Sequence, residues 1–101
     1  MAAYLIVDIT KVLDEATYAN YRSKVNRGIA EAGGEYLVRG DAVQVLEGDW
    51  SPNRIVVVRF PSIEAARQWW SSPEYSELKQ TRQASTITNM ILVPSLENEV
   101  E

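Results

Sequence analysis

The chain contains no cysteine and no histidine. Without cysteine there is no disulfide staple and no thiolate nucleophile. Without histidine there is no imidazole ligand for haem or zinc, and no imidazole base poised near neutral pH. Positive charge is in the minority, with 10 Lys and Arg against 14 Asp and Glu and a net charge of −4. Phosphate binding needs a basic face, so no nucleic-acid partner is expected. No apolar run approaches the ~20 residues of a membrane span. Tyr4–Ile9 is too short for a signal sequence, carries a charge at Asp8 and is followed by Thr10. The expectation is therefore no membrane partner and cytoplasmic residence. Motifs for phosphate loops, dinucleotide binding, nucleophile elbows and metal sites are all missing, so neither metal nor cofactor is expected.

What is present suits one small globular domain. The 101 residues are 46% hydrophobic, enough for a single core with little to spare. That domain is expected over residues 1–95, with an acidic tail over residues 96–101 expected to be disordered. Tyr4–Ile9 is the first apolar strand run. Asp14 is placed to cap a helix in which Tyr18, Tyr21, Val25, Ile29 and Ala32 recur every three or four residues. Gly33-Gly34 stops that helix. Glu35–Glu47 reads as a second strand, with Gly40-Asp41 marking a bulge or bend inside it. Arg54–Phe60 is a third, β-branched strand. Ser62 caps a helix carrying Ile63, Ala66, Trp69 and Trp70, and Ser72-Pro73-Glu74 restarts it. Met90–Val93 is the last strand.

The order β-α-β-β-α-β predicts an α+β, ferredoxin-like fold: a four-stranded antiparallel sheet with its helices on one face. A sheet half open to water alternates apolar and polar residues. Ile55-Val56-Val57-Val58 and Met90-Ile91-Leu92-Val93 do not, so both faces are apolar. A second copy packed against the open face is the economical cover, and a homodimer is expected.

An ordered set of segments carries a family resemblance. These are Gly33–Gly40, Leu46-Glu47-Gly48-Asp49-Trp50, Val58-Arg59-Phe60-Pro61-Ser62, Ala65-Ala66, Ser72-Pro73-Glu74-Tyr75 and Arg82. Together they resemble the bacterial domain-of-unknown-function 1330 family, over about Ala3 to Pro94. The resemblance implies a dimeric α+β barrel of ferredoxin-like subunits. The surrounding superfamily includes small monooxygenases and muconolactone-isomerase-like proteins. Trp70 stands where many relatives carry a His or a smaller aromatic, so a proton-transfer role for such a His does not carry over.

Several residues are candidates for chemistry. Arg39 follows Leu37 by two positions, and Arg59 follows Ile55 and Val57. At least one of the two arginines is therefore expected on the face covered by the second copy. Each offers a planar donor set for a carboxylate or enolate, unless it merely pairs with Asp8, Asp41 or Glu47. Trp50 and Arg54 flank a polar connection, where Trp50 either lids a pocket or plugs the sheet end. Tyr75, Leu78 and Arg82 share one side of the last helix. The Tyr75 hydroxyl beside an arginine suits a weak acid in enolisation, against the simpler reading that Tyr75 fills the core with its hydroxyl bonded to backbone. Trp69 and Trp70 cannot both face inward. The expected function is binding of a small apolar or aromatic acid. Arg39, Trp50, Arg54, Arg59, Trp69 and Arg82 would bind it, with Tyr75 or Asp8 moving a proton in cofactor-independent isomerase, lyase or monooxygenase chemistry. The alternative is a non-catalytic ligand-binding or protein-interaction module.

Overall fold

The structure, a computed structural model, describes residues 1–96. Its elements run β1 (Ala3–Val12), α1 (Glu15–Glu31), β2 (Glu35–Gly40), β3 (Arg54–Phe60), α2 (Ile63–Ser71), α3 (Pro73–Ser85) and β4 (Thr86–Pro94). Of the segment read as an acidic tail, residues 97–101 lie outside the described residues.

Each helix starts where a side-chain oxygen accepts an otherwise orphaned amide. The Asp14 carboxylate accepts from the Thr17 N–H at 3.1 Å, which also lowers the Asp14 pKa. The Ser62 hydroxyl accepts from Ala65 at 3.0 Å, and Ser72 from Tyr75 at 3.1 Å. Ser72 additionally donates to the Trp69 carbonyl at 2.8 Å, so one hydroxyl closes α2 and opens α3. Helix α1 is followed by a turn through Gly33, whose φ of 83° is costly for most other residues. Substituting Ser62 or Ser72 with alanine is expected to lower stability by about 1 kcal/mol each in urea unfolding, with Ser72 the costlier. Unchanged midpoints for both would mean the caps contribute nothing.

The strand order is β2-β3-β1-β4, with every pair antiparallel. Leu5 lies opposite Val58 and Leu92, and Val7 opposite Val56 and Met90. That set faces the helices. Leu5, Val7, Ile9, Val58 and Phe60 meet Tyr18, Tyr21, Val25 and Ile29 of α1, Ala66 and Trp69 of α2, and Tyr75 of α3 in one core. The alternate set, Tyr4, Ile6, Ile55, Val57, Ile91 and Val93, faces away from the helices. The body is only 16 Å through its thin axis, the depth of one sheet and one helix layer. The two apolar faces expected from the sequence are therefore real, and helices cover one of them.

Two expectations need correction. The second strand does not run to Glu47; it ends at Gly40, whose partner Ile55 stands near the start of β3. Beyond that point the opposing chain contains Pro52, which has no N–H to offer a ladder, and residues 41–50 are all exposed. The irregularity in β2 is also earlier than Gly40. The register shifts between Tyr36 and Val38, which leaves Leu37 as the extra residue. Arg39 therefore leaves the face that a strict two-residue count assigns it and joins Tyr36 on the helix side.

Candidate functional site

A cleft of about 500 Å³ opens between α1 and the helix-facing side of the sheet. Its floor is apolar, made of Leu5, Val7, Ile9, Val56 and Met90, and Trp69 closes one end. Tyr18 and Tyr21 line it from α1, Tyr36 and Arg39 from β2, and Arg54 from β3. The β2 bulge makes this possible by bringing Tyr36 and Arg39 to one side. The Arg39 guanidinium lies 4.4 Å from the Tyr36 ring centre, and the Tyr36 hydroxyl donates to Asn26 Oδ1 at 2.8 Å. Arg54 and Arg39 sit on adjacent strands, with Val56 opposite Arg39 and Arg54 two residues back on the same face.

The cleft is electropositive in a chain of net negative charge. No Asp or Glu lines it. Among the described residues no carboxylate lies within 4.0 Å of Arg39, Arg54 or Arg22; the ion pair present joins Arg27 to Glu31 at 3.2 Å on the surface. The Arg54 Nε is buried without a hydrogen-bond partner. Burial raises the pKa of Tyr18, Tyr21 and Tyr36, and for Tyr18 the guanidinium groups of Arg54, Arg22 and Arg82 oppose that rise. All three phenols stay neutral, so the arginines carry the charge.

At the cleft wall, Tyr21 reaches back to Tyr75: their hydroxyl oxygens are 3.0 Å apart, and Arg82 Nε donates to the Tyr75 hydroxyl at 3.3 Å. Tyr75 is 2% exposed and Arg82 5%. The Tyr75 ring lies 4.0 Å from that of Trp69, centre to centre. Of the adjacent tryptophans, Trp69 is core, whereas Trp70 is on the surface beneath the Lys79 ammonium at 3.9 Å.

A second group sits on the opposite side of the sheet. Trp50 Nε1 donates to Asp8 Oδ2 at 2.9 Å, which draws the 41–53 connection over the open face. Asp8 Oδ1 is buried with no partner. Arg59 lies on this same face, opposite Tyr4. The sequence candidates thus separate into Arg39, Arg54 and Trp69 in the cleft, Tyr75 and Arg82 behind it, and Asp8, Trp50 and Arg59 across the sheet. Among the described residues no cluster of three or more His, Cys, Asp or Glu is arranged to hold a metal ion, and no helix is long and apolar enough to cross a membrane.

Residues 2–96 match the family described as Domain of unknown function (DUF1330). The chain belongs to the DUF1330 family. A search of curated proteins finds no match. Among solved structures, a Rhodopseudomonas palustris protein of unknown function superposes with a TM-score of 0.77 at 19% identity, covering 94% of this chain and 82% of that one. A dimeric ferredoxin-like protein of unknown function from Jannaschia sp. has a TM-score of 0.73 at 11% identity, covering 94% and 100%. SnoaB of Streptomyces nogalater, a cofactor-independent oxygenase, has a TM-score of 0.67 at 12% identity, covering 93% and 92%. At these identities the likeness establishes the ferredoxin-like α+β fold.

Sequence reasoning missed the tyrosines of this DUF1330 cleft. Tyr18 and Tyr21 fall on the apolar stripe of α1 and read as packing, and Tyr36 reads as a strand residue. The available signal was the residue type. A buried tyrosine brings a hydroxyl that needs a partner, and phenylalanine or leucine would fill the same space without one.

Proposed function

We propose that this DUF1330 protein is a cytoplasmic homodimer of one domain, residues 1–95, whose cleft binds a small apolar or aromatic acid. The observation that carries the reading is the pair Arg39 and Arg54. Among the described residues these guanidinium groups have no carboxylate partner; both line an aromatic and aliphatic cavity, and one has a buried unsatisfied N–H. A planar guanidinium matches a carboxylate in two-pronged fashion, and the tyrosine rings and apolar floor suit a flat hydrocarbon body. Catalysis, where it occurs, would be cofactor-independent isomerase, lyase or monooxygenase chemistry; the SnoaB likeness of fold is compatible with that. Of the two proton-moving candidates, Tyr75 connects to the cleft through Tyr21, whereas Asp8 belongs to the face where the second copy would pack. The open apolar sheet face supports the homodimer, as does the dimeric Jannaschia neighbour.

A second reading, a non-catalytic ligand-binding module, is favoured by one fact: the cleft lining holds no carboxylate to act as a base.

Thermal melting with a panel of aromatic monoacids and diacids tests the site. An acid at a hundredfold excess over its Kd is expected to stabilise the wild type by about 2.7 kcal/mol. The Arg39→Ala and Arg54→Ala variants should fold yet lose most of that shift. Arg67→Ala, on the surface groove between α2 and β4, should keep it. A shift that survives in both cleft variants places binding elsewhere, and no shift with any acid removes the proposal.

A further inference from the structure

The hydroxyls of Tyr21, which lines the cleft, and of Tyr75, behind it, do not balance. Tyr21 and Tyr75 together carry two hydroxyl hydrogens, and the 3.0 Å bond between them uses one. Arg82 donates to the Tyr75 oxygen, and a guanidinium has no lone pair with which to accept anything back. No other hydrogen-bond partner of either hydroxyl exists among the described residues. One hydroxyl hydrogen is therefore without a protein acceptor.

Polarisation decides which one. The Tyr75 oxygen accepts from a charged donor, which withdraws electron density and makes its own O–H the stronger donor of the pair. Tyr75 then donates to Tyr21, and the unused hydrogen belongs to Tyr21. Tyr21 lines the cleft, and Tyr75 does not. Burial, then the neighbouring Tyr75, raises the Tyr21 pKa, so the phenol keeps its hydrogen throughout the physiological range.

We infer that Tyr21 is the hydrogen-bond donor of the cleft, aligned by Tyr75 and Arg82, and that the bound acid presents it with a second acceptor, a carbonyl or enolate oxygen, besides its carboxylate. The inference rests on the anion-binding reading of the cleft and narrows its ligand class to oxo acids with an apolar or aromatic body. A donor held in place before the ligand arrives favours a developing enolate over the ground-state ketone, the arrangement that enolisation requires. Tyr75 and Arg82 are positioning residues in this scheme, since neither needs to touch the ligand.

Matched probes separate this from the anion site itself. Para-acetylbenzoate and para-ethylbenzoate have nearly the same size and the same carboxylate, and differ in one carbonyl oxygen; the meta isomers extend the pair to a second spacing. In titration calorimetry the wild type should bind the acetyl compound of at least one isomer about five- to tenfold more tightly than its ethyl partner, the usual value of one hydrogen bond. In Tyr21→Phe that preference should vanish through weaker acetyl binding, with ethyl binding unchanged. Isotope-edited infrared spectra give a second readout. The carbonyl stretch of bound acetylbenzoate should move to lower wavenumber, and in Tyr21→Phe it should return. Equal binding of both compounds in the wild type, with either lost in Arg39→Ala, overturns the donor role while leaving the anion cleft standing. A preference that persists in Tyr21→Phe assigns the donor to another residue and also overturns the inference. No binding of any probe removes both readings.

Discussion

Replacing Phe60 with alanine is expected to lower stability by about 3–5 kcal/mol and the Tm by more than about 12 °C. Phe60 is completely buried at the end of β3 and is its largest core residue. Its ring lies 5.6 Å from that of Trp69, the residue that closes the cleft. The loss should be large because the surroundings have little freedom to collapse into the space. A Cβ at Gly34 would stand 3.2 Å from the Phe60 ring and 2.6 Å from Ile29 Cγ2, so the turn after α1 is already seated against both. Where walls relax only partly, the cavity cost adds to the lost burial. Domains of this size are stable by roughly 5–15 kcal/mol, so the variant should be close to the limit of folding. Urea unfolding at constant m-value measures the effect. A loss below about 1 kcal/mol would mean that β3 is not anchored through this ring.

Val57→Asp is expected to leave the chain folded but to abolish the proposed homodimer, giving the mass of one subunit by light scattering at micromolar concentration. Val57 lies at the centre of the open face, opposite Ile6 on one side and Val38 on the other. A stable interface buries roughly 800 Å² per partner. In a two-fold dimer the substitution places an uncompensated carboxylate in the apolar centre twice. Each would cost several kcal/mol to bury, which exceeds what most interfaces of that size can offset. Leu92→Asp is the contrasting variant. Leu92 lies opposite Leu5 on the helix-facing side, so the same charge there should lower the Tm and not primarily the mass. A wild type of monomeric mass, or a dimeric Val57→Asp, would show that the open face is not where two copies meet.

The contrast between those two positions shows how far the sequence reads. Unbroken apolar runs in β3 and β4 tell that both faces are apolar, but Val57 and Leu92 look alike in the sequence. Only the ladder assigns them to opposite sides. The same holds for Arg39. Strict alternation pairs it with Leu37, and the bulge at Leu37, visible only as a shift of partners against β3, turns it into the cleft beside Tyr36.

What the sequence by itself determined is local. Asp14, Ser62 and Ser72 announce three helix starts because a cap acts over three residues, and Gly33 announces a helix end because it takes a conformation other residues resist. Element order and the two apolar sheet faces follow from periods of two and of three to four, which are also local. The tertiary structure decided what depends on distant partners. Tyr21 meets Tyr75 across 54 residues, and Trp50 meets Asp8 across 42. Chain beyond Gly40 lost its place in the sheet because the strand opposite it was missing, not because its own residues were unsuited. A hydrogen bond or a strand register belongs to two segments at once, and neither segment carries the other's position.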